Sequence, residues 1–191
     1  RFEILREAVT GTMSSFYVVR DRRTGDTAGL KILDSEKTAF FENRFKGMSK
    51  PSEGEIAQKL NHPRVVSTLE CGVTTNGQPY ILMEYLEGPV LHALVKDRSP
   101  LLEGNQLTLI RQMAEAVGAV HAAGFIHRDI CPRNFICNKT ADELKLIDFG
   151  LTVPATREFM QPGNRTGTPS YMAPEVVRRR PTDHRLDIFS L

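Results

Sequence analysis

The sequence predicts an α+β fold with two lobes: a small antiparallel β-sheet with one main helix, followed by a mostly helical unit. Short runs of strand-forming residues dominate the first third of the chain. From residue 107 onward, apolar residues instead recur at helical spacing. Turn-forming residues at 84–89 separate the two patterns. We therefore expect a first lobe over residues 1–83, a hinge at 84–88 and a second lobe over residues 89–191.

The first lobe contains five runs of strand composition. They cover Phe2–Val9, Ser15–Arg20, Thr27–Leu33, Val65–Leu69 and Pro79–Met83. The turn Arg23-Thr24-Gly25-Asp26 joins the second and third runs into a hairpin. Together these runs predict a small antiparallel sheet.

Two segments have the residue pattern of amphipathic helices. In the first lobe, Pro51 suits a first helical turn, and Ile56 and Leu60 are four residues apart before the segment ends near His62. In the second lobe, one helix ends at Gly124. Its predicted apolar face consists of Leu107, Ile110, Met113, Ala114, Val117 and Val120.

The composition is that of a globular protein without a dominant charge. The 25 Lys and Arg residues nearly balance the 23 Asp and Glu residues, which argues against a nucleic-acid partner. Cys71, Cys131 and Cys137 lack CxxC spacing and are odd in number, which argues against a disulfide framework and a zinc site. No apolar run reaches about 18 residues, and no signal peptide is evident. We expect a cytoplasmic protein, or the cytoplasmic domain of a longer anchored protein, with no membrane segment in this chain.

Three motifs follow one another in the predicted second lobe. They are His127-Arg128-Asp129-Ile130-Cys131-Pro132-Arg133-Asn134, Leu146-Ile147-Asp148-Phe149-Gly150 and Gly167-Thr168-Pro169-Ser170-Tyr171-Met172-Ala173-Pro174-Glu175. Any one short motif can arise by chance, but three in this order and spacing leave little room for coincidence. They resemble the catalytic loop, the metal-binding loop and the substrate-positioning segment of eukaryotic-type protein kinases.

The resemblance implies that ATP, with Mg²⁺, phosphorylates Ser or Thr hydroxyls of a protein substrate. It implies Asp129 as the catalytic base, and Asn134 and Asp148 as ligands of Mg²⁺. Thr168 is implied to bond to the catalytic aspartate and to favour Ser/Thr substrates. Asp187 resembles the aspartate that anchors the catalytic-loop backbone. Because the sequence ends just after it, the second lobe is expected to be incomplete.

In the first lobe, Lys31 matches the strand lysine that contacts the α- and β-phosphates of ATP. The implied ion-pair partner of Lys31 is Glu53. Glu55 is the competing candidate, but an offset of two residues turns a side chain about 200° around a helix.

The segment Met83-Glu84-Tyr85-Leu86 resembles the hinge that binds adenine. Met83 is then the gatekeeper, and the backbone of Glu84 and Leu86 offers adenine an acceptor and donors. Ile136, just after the catalytic loop, is implied as the apolar floor under adenine.

The phosphate loop departs from the family pattern. With Lys31 in place, the pattern GxGxxGxV falls on Val9, Gly11, Ser14 and Phe16, so only the middle glycine is kept. A loop with fewer glycines is expected to be stiffer or more open toward phosphate oxygens. Gly29 also replaces the alanine that usually precedes the lysine by two positions. We hypothesise that the Phe16 ring uses the space that Gly29 leaves.

The catalytic loop departs from the pattern at Cys131. Most Ser/Thr kinases have a lysine there, and a neutral thiol cannot supply its charge. Arg133 lies two positions later and is a candidate replacement, although it is equally compatible with an ordinary exposed arginine. These changes leave an alternative open, namely a weakly active or inactive pseudokinase that acts as a nucleotide-binding signalling scaffold.

Arg128, which precedes the catalytic aspartate, predicts regulation by phosphorylation of the activation loop. The phosphate would come from an activating kinase or from self-phosphorylation. The hydroxyls in that stretch belong to Thr152, Thr156, Thr166 and Ser170, and the sequence does not choose among them.

Overall fold

A computed structural model of the chain describes residues 1–10, 13–163 and 165–191, with only the backbone at 7–10. The described residues form two compact units, one of residues 1–58 and 67–85 and one of residues 59–66 and 86–191. The division after residue 85 falls inside the predicted hinge. Residues 59–66 group with the second unit.

The first unit is built on an antiparallel sheet. In chain order its elements are β1 (Phe2–Thr10), β2 (Ser14–Asp21), β3 (Thr27–Leu33), α1 (Ser35–Glu42), α2 (Glu53–Lys59), β4 (Thr68–Val73) and β5 (Pro79–Glu84). Among the described residues, five strands pair in the order β1-β2-β3-β5-β4. Val19, Ala28, Leu30 and Leu82 form a buried cluster on this sheet. The sheet and the helices confirm the predicted α+β class.

The predicted fourth strand, Val65–Leu69, begins later than expected. The strand β4 starts at Thr68. Val65 instead forms a parallel bridge with Leu146, and the amide of Val66 donates to the carbonyl oxygen of Leu146 at 3.0 Å. These valines have strand propensity, but their partner lies far along the chain and could not be identified from local composition.

Helix α1 was not predicted from the sequence. Phe41 is its buried residue, so the helix lacks a clear apolar stripe. Its start is marked by Asp34, whose side chain accepts hydrogen bonds from the amides of Glu36 and Lys37. This cap is a local signal that a search for apolar periodicity does not detect.

Helix α2 begins at Glu53, two residues after the predicted Pro51. Ser52 and Glu55 form a capping box. The Ser52 amide donates to Glu55 Oε2 at 2.7 Å, and the Glu55 amide donates to Ser52 Oγ at 3.3 Å. This reciprocal pair fixes the start of the helix and places Glu53 in its first turn.

Helices make up most of the regular structure of the second unit. Its elements are α3 (Leu91–Lys96), α4 (Gln106–Ala122), β6 (Phe125–Ile126), β7 (Phe135–Cys137), β8 (Leu144–Leu146), β9 (Val153–Pro154), α5 (Pro174–Val177) and α6 (Arg185–Ser190). Strand β6 pairs antiparallel with β9, and β7 with β8. In the described ranges, no helix is both long and apolar enough to cross a membrane.

The buried face of α4 differs from the predicted one. Leu107 and Ile110 are 83% and 54% exposed, and Ala114 is exposed as well. The buried residues are Leu109, Gln112, Met113, Ala116, Val117 and Val120. Gln112 is tolerated there because its side chain bonds to the backbone at residues 142 and 144. Met113, Val117 and Val120 are buried as predicted, but the rest of the predicted face is wrong, because a buried glutamine interrupts the apolar pattern.

Candidate active site

Asp129 is held by groups from two separate segments. The amide and Oγ1 of Thr168 donate to Asp129 Oδ1 at 2.7 and 2.8 Å. Asn134 Nδ2 donates to the Asp129 carbonyl oxygen at 2.8 Å and to Oδ2 at 3.1 Å. The carboxylate therefore has a defined direction, as a general base needs in order to orient a hydroxyl and accept its proton.

Gly167 allows Thr168 to approach Asp129. Its φ of +113° lies in a region that L side chains rarely adopt, and an ideal Cβ there would lie 2.6 Å from the carbonyl oxygen of Arg128. A side chain at this position would push the Thr168 segment away from the catalytic loop. The glycine of the third motif is therefore required by both backbone conformation and space.

Asp187 anchors the backbone of the catalytic loop, as the resemblance implies. It is fully buried at 0% exposure. Its Oδ2 accepts from the amide of His127 and its Oδ1 from the amide of Arg128, both at 2.8 Å. His121 Nε2 lies 2.8 Å from Oδ2. Arg128 has a φ of 72°, which is unfavourable for a residue with a Cβ, so these bonds hold the loop in a conformation it would otherwise avoid.

His127 links the two catalytic motifs by packing. Its ring lies edge-on to the ring of Phe149 with centroids 5.6 Å apart. Burial lowers the pKa of His127, although the nearby aspartates oppose this effect, so we expect a neutral imidazole. The ring accepts a hydrogen bond from the Asp129 amide at Nδ1, 3.3 Å away, and packs against Phe149, so it connects the catalytic loop with the Asp148-Phe149-Gly150 segment.

Asn134 and Asp148 lie at the same end of the β7–β8 hairpin. Phe135 pairs with Leu146, and the amide of Ile147 donates to the carbonyl oxygen of Asn134 at 2.8 Å. Because the two strands are antiparallel, the residue before β7 and the segment after β8 meet at one edge. The fold thus brings together the two residues that the resemblance implies as metal ligands.

The donor atoms of this pair fit Mg²⁺. The amide nitrogen of Asn134 is bonded to Asp129, which leaves its amide oxygen for a cation. Asp148 is exposed, and its Oδ1 accepts from the Gly150 amide at 3.0 Å. Mg²⁺ prefers such oxygen ligands and takes only a few from the protein when phosphate supplies others. Clusters of three or more His, Cys, Asp or Glu residues that could hold a metal are absent from the described residues.

Cys131 is buried beside the catalytic aspartate. It is 1% exposed, and its Sγ lies 3.6 Å from Thr168 Oγ1. The Thr168 hydroxyl therefore lies between the Asp129 carboxylate, to which it donates at 2.8 Å, and the Cys131 sulfur. Arg133 is exposed in the 3₁₀ turn Pro132–Asn134 and makes no hydrogen bond or ion pair within the described part of the chain.

In the first unit, Lys31 pairs with Glu53. Lys31 Nζ lies 2.5 Å from Glu53 Oε1, and the two side chains are only 10% and 11% exposed. Glu55 caps the helix instead, so the helical offset correctly distinguishes the two acidic residues. A pair this well buried is costly to break on one side, because the remaining charge would lack its partner.

The ring of Phe16 lies against Gly29. Phe16 pairs with Lys31 across β2 and β3, and Gly29 pairs with Met83 across β3 and β5. An ideal Cβ on Gly29 would lie 2.7 Å from Phe16 Cζ and 3.1 Å from Met83 Cγ. The phenylalanine ring therefore occupies the volume that an alanine methyl group would need, as the compensation hypothesis requires.

The rest of the predicted phosphate loop is only partly described. The backbone of Val9 pairs with Phe16, while its side chain and the whole of Gly11 lie outside the described residues. Ser14 begins β2 and pairs with Leu33.

The predicted hinge residues are divided between the two units. Glu84 ends β5, and its amide and carboxylate both bond to the backbone of Ser67, at 3.0 and 2.7 Å. Leu86 is the first residue of the segment that belongs to the second unit. In that unit, Ile136 forms a bridge with Val90.

Sequence reasoning missed the role of Gly88. An ideal Cβ at Gly88 would lie 1.9 Å from the carbonyl oxygen of Cys137, so any side chain there forces the backbone to move. In the sequence, a glycine within a turn-rich segment predicts a turn. It does not predict this close contact with a distant backbone.

The candidate phosphorylation sites differ in accessibility. Thr152 is 0% exposed, whereas Thr156 and Ser170 are exposed and Thr166 is partly buried. In this conformation the Thr152 hydroxyl is therefore not accessible to phosphorylation by another kinase.

Comparison with known proteins places this site in a family. Residues 2–191 match the family model described as the protein kinase domain. Serine/threonine-protein kinase pkn3 of Myxococcus xanthus is 35% identical over 195 residues, which cover 95% of this chain and 34% of that protein. Serine/threonine-protein kinase PknD of Mycobacterium tuberculosis is 32% identical over 193 residues, which cover 100% of this chain and 28% of that protein.

A plant protein shows similar identity. CBL-interacting protein kinase 16 of Oryza sativa is 33% identical over 194 residues, which cover 100% of this chain and 41% of that protein. The chain spans about a third of the length of the curated relatives it matches. The family match extends over nearly all of the residues, and the matched region contains both the Lys31–Glu53 pair and the Asp129 loop, so this chain belongs to the protein kinase family.

Proposed function

We propose that this chain transfers the γ-phosphoryl group of ATP to Ser or Thr hydroxyls of protein substrates. The observation that carries the proposal is the fixed carboxylate of Asp129, which accepts hydrogen bonds from Thr168 and Asn134. The named Ser/Thr kinases among the relatives support the acceptor class.

The chemistry assigned to the chain is mostly positioning. The substrate hydroxyl oxygen forms a bond to the γ-phosphorus, the bond from that phosphorus to the β,γ-bridging oxygen breaks, and ADP leaves. Asp129 orients the hydroxyl and accepts its proton. Asn134 and Asp148 would hold Mg²⁺, which neutralises phosphate charge when bound. Lys31, kept in place by Glu53, contacts the α- and β-phosphates.

Further residues are assigned to nucleotide binding and charge stabilisation. The backbone of Glu84 and Leu86 binds adenine. The remaining nucleotide contacts come from Val9, Gly11, Phe16, Gly29, Met83 and Ile136. Arg133 is an exposed cation in the turn that follows Asp129, and it replaces the charge that Cys131 does not supply.

Regulation and location are also proposals. Exposed hydroxyls at Thr156 and Ser170 suit phosphorylation by an activating kinase or by a second copy of the protein. We place the reaction in the cytoplasm, because it consumes ATP. In the described residues Cys71, Cys131 and Cys137 are free thiols, and free thiols are typical of a reducing compartment.

A nucleotide-binding scaffold without catalysis is not favoured. Lys31, Asp129, Asn134 and Asp148 are all present, and each makes specific contacts. The two bacterial relatives described above are named serine/threonine-protein kinases.

A transfer assay with ATP radiolabelled on the γ-phosphate tests the proposed function. The purified full-length protein is expected to label a general protein substrate on Ser and Thr when Mg²⁺ is present. Asp148→Ala is expected to reduce labelling to background, because the metal loses its carboxylate ligand. Equal labelling by both proteins would contradict the proposal, and label on Tyr alone would contradict the acceptor class.

Replacing Gly29 by alanine is expected to weaken ATP binding about tenfold, because overpacking typically costs about 1–3 kcal/mol. The added methyl group meets the Phe16 ring. A fluorescent ATP analogue measures the affinity. The double variant Gly29→Ala/Phe16→Val is expected to recover affinity, since valine removes the ring. A single variant that binds ATP as tightly as the parent would refute the compensation hypothesis.

A further inference from the structure

Gly54, in the first turn of α2, lies directly against Cys71 of β4. An ideal Cβ on Gly54 would lie 2.9 Å from Cys71 Sγ, 3.3 Å from Cys71 Cβ and 3.8 Å from Ile81 Cγ1. The first distance is shorter than real contacts allow. The cysteine side chain is short, so its sulfur atom stays close to the backbone of β4. An added methyl group on Gly54 would therefore have to move the helix or the strand.

This contact lies beside the Lys31–Glu53 pair. Ile81 of β5 pairs with Lys31 on one side and with Cys71 on the other, so these three residues form one row across the sheet. Residues directly opposite each other in antiparallel strands point to the same face. At one end of the row Glu53 meets Lys31, and at the other end Gly54 meets Cys71.

The choice of residues at this contact conflicts with helix propensity. Glycine is the poorest helix former after proline, and alanine is the best. A glycine that is buried in a short helix is therefore explained by the lack of space above Cys71. Burial raises the pKa of the Cys71 thiol, and Glu53 and Glu70 add to this effect, so the group that fills this space is a neutral thiol.

We propose that Gly54 and Cys71 are positioning residues for the Lys31–Glu53 pair. Their close contact sets the distance between α2 and β4, and this distance decides where the Glu53 carboxylate meets the Lys31 ammonium group. The kinetic consequence rests on the proposed function, in which Lys31 contacts the phosphates of ATP.

Gly54→Ala tests this proposal. The variant is expected to lower kcat/KM for ATP about tenfold, within the range of coupling seen between residues in contact. Cys71→Ala removes the sulfur atom, so Gly54→Ala/Cys71→Ala is expected to regain activity to within about threefold of the parent. In a Glu53→Gln background, Gly54→Ala is expected to have no further effect, because the pair is already lost. Gly118→Ala is the matched control, since Gly118 of α4 has no atom within 4 Å of its ideal Cβ.

A second measurement does not depend on catalysis. The rate at which an amine-reactive ester acylates Lys31, followed by mass spectrometry, reports how firmly Glu53 holds the ammonium group. Gly54→Ala is expected to raise this rate severalfold, and Cys71→Ala in the same chain is expected to lower it again. If the protein shows no phosphoryl transfer but gives this labelling pattern, the proposed function is contradicted and the positioning role of Gly54 and Cys71 still stands. An unchanged labelling rate, or a change that Cys71→Ala does not reverse, overturns the positioning role.

Discussion

Asp129→Asn is expected to lower kcat about 10²- to 10⁴-fold, the usual contribution of a general base. Asparagine has nearly the same shape as aspartate, and its side-chain oxygen can still accept from the Thr168 amide, which bonds to Asp129 at 2.7 Å. It cannot take the proton of the substrate hydroxyl. We therefore expect a folded protein that binds ATP and transfers phosphate slowly.

Steady-state kinetics and thermal unfolding together check this prediction. The melting temperature and the affinity for ATP are expected to stay close to those of the parent. Asp97→Asn is the control, because Asp97 is an exposed carboxylate in the same unit. An Asp129→Asn variant that keeps more than about a tenth of the parent kcat would contradict the assignment of the base.

Asp187→Ala is expected to reduce the free energy of unfolding by about 2–5 kcal/mol, since each buried donor left unsatisfied costs about 1–3 kcal/mol. The amides of His127 and Arg128 lose their acceptor. Arg128 also loses the bond that holds its left-handed backbone. The loop that contains Asp129 should relax, so kcat is expected to fall as well.

Denaturant unfolding measures the stability change. Asp183→Ala is the matched control, because Asp183 lies just before the same helix and forms a surface ion pair with Arg185 at 2.8 Å. Such pairs contribute about 0–1 kcal/mol. Equal losses in the two variants would show that the buried carboxylate of Asp187 does not anchor the loop.

The geometry of the residues proposed for catalysis follows largely from the sequence, because they lie in short continuous motifs. Asp129 and Asn134 are separated by one tight turn, and Asp148 follows a strand that pairs with the strand after Asn134. Their geometry therefore depends mainly on local backbone. The choice of Glu53 over Glu55 was likewise predictable, because it needs only the angular spacing of a helix.

Other features could not be predicted, because they depend on partners that are distant along the chain. The buried face of α4 includes Gln112, whose burial is acceptable only because backbone groups 30 and 32 residues later bond to it. Val65 was assigned to a strand of the first unit, whereas its partner is Leu146. Helix α1 lacks an apolar stripe, so only its Asp34 cap marks it.

The sequence by itself determined the α+β class, through strand-forming runs followed by apolar residues at helical spacing. Its three ordered motifs determined the family and most of the residues proposed for catalysis. Tertiary structure alone decided how those residues are held. Distances between separate segments decide whether Phe16 fills the space beside Gly29 and whether Cys71 lies against Gly54. They also decide which donors bond to Asp187. Residue identity specifies which chemical groups are available, but only close packing determines which groups come into contact.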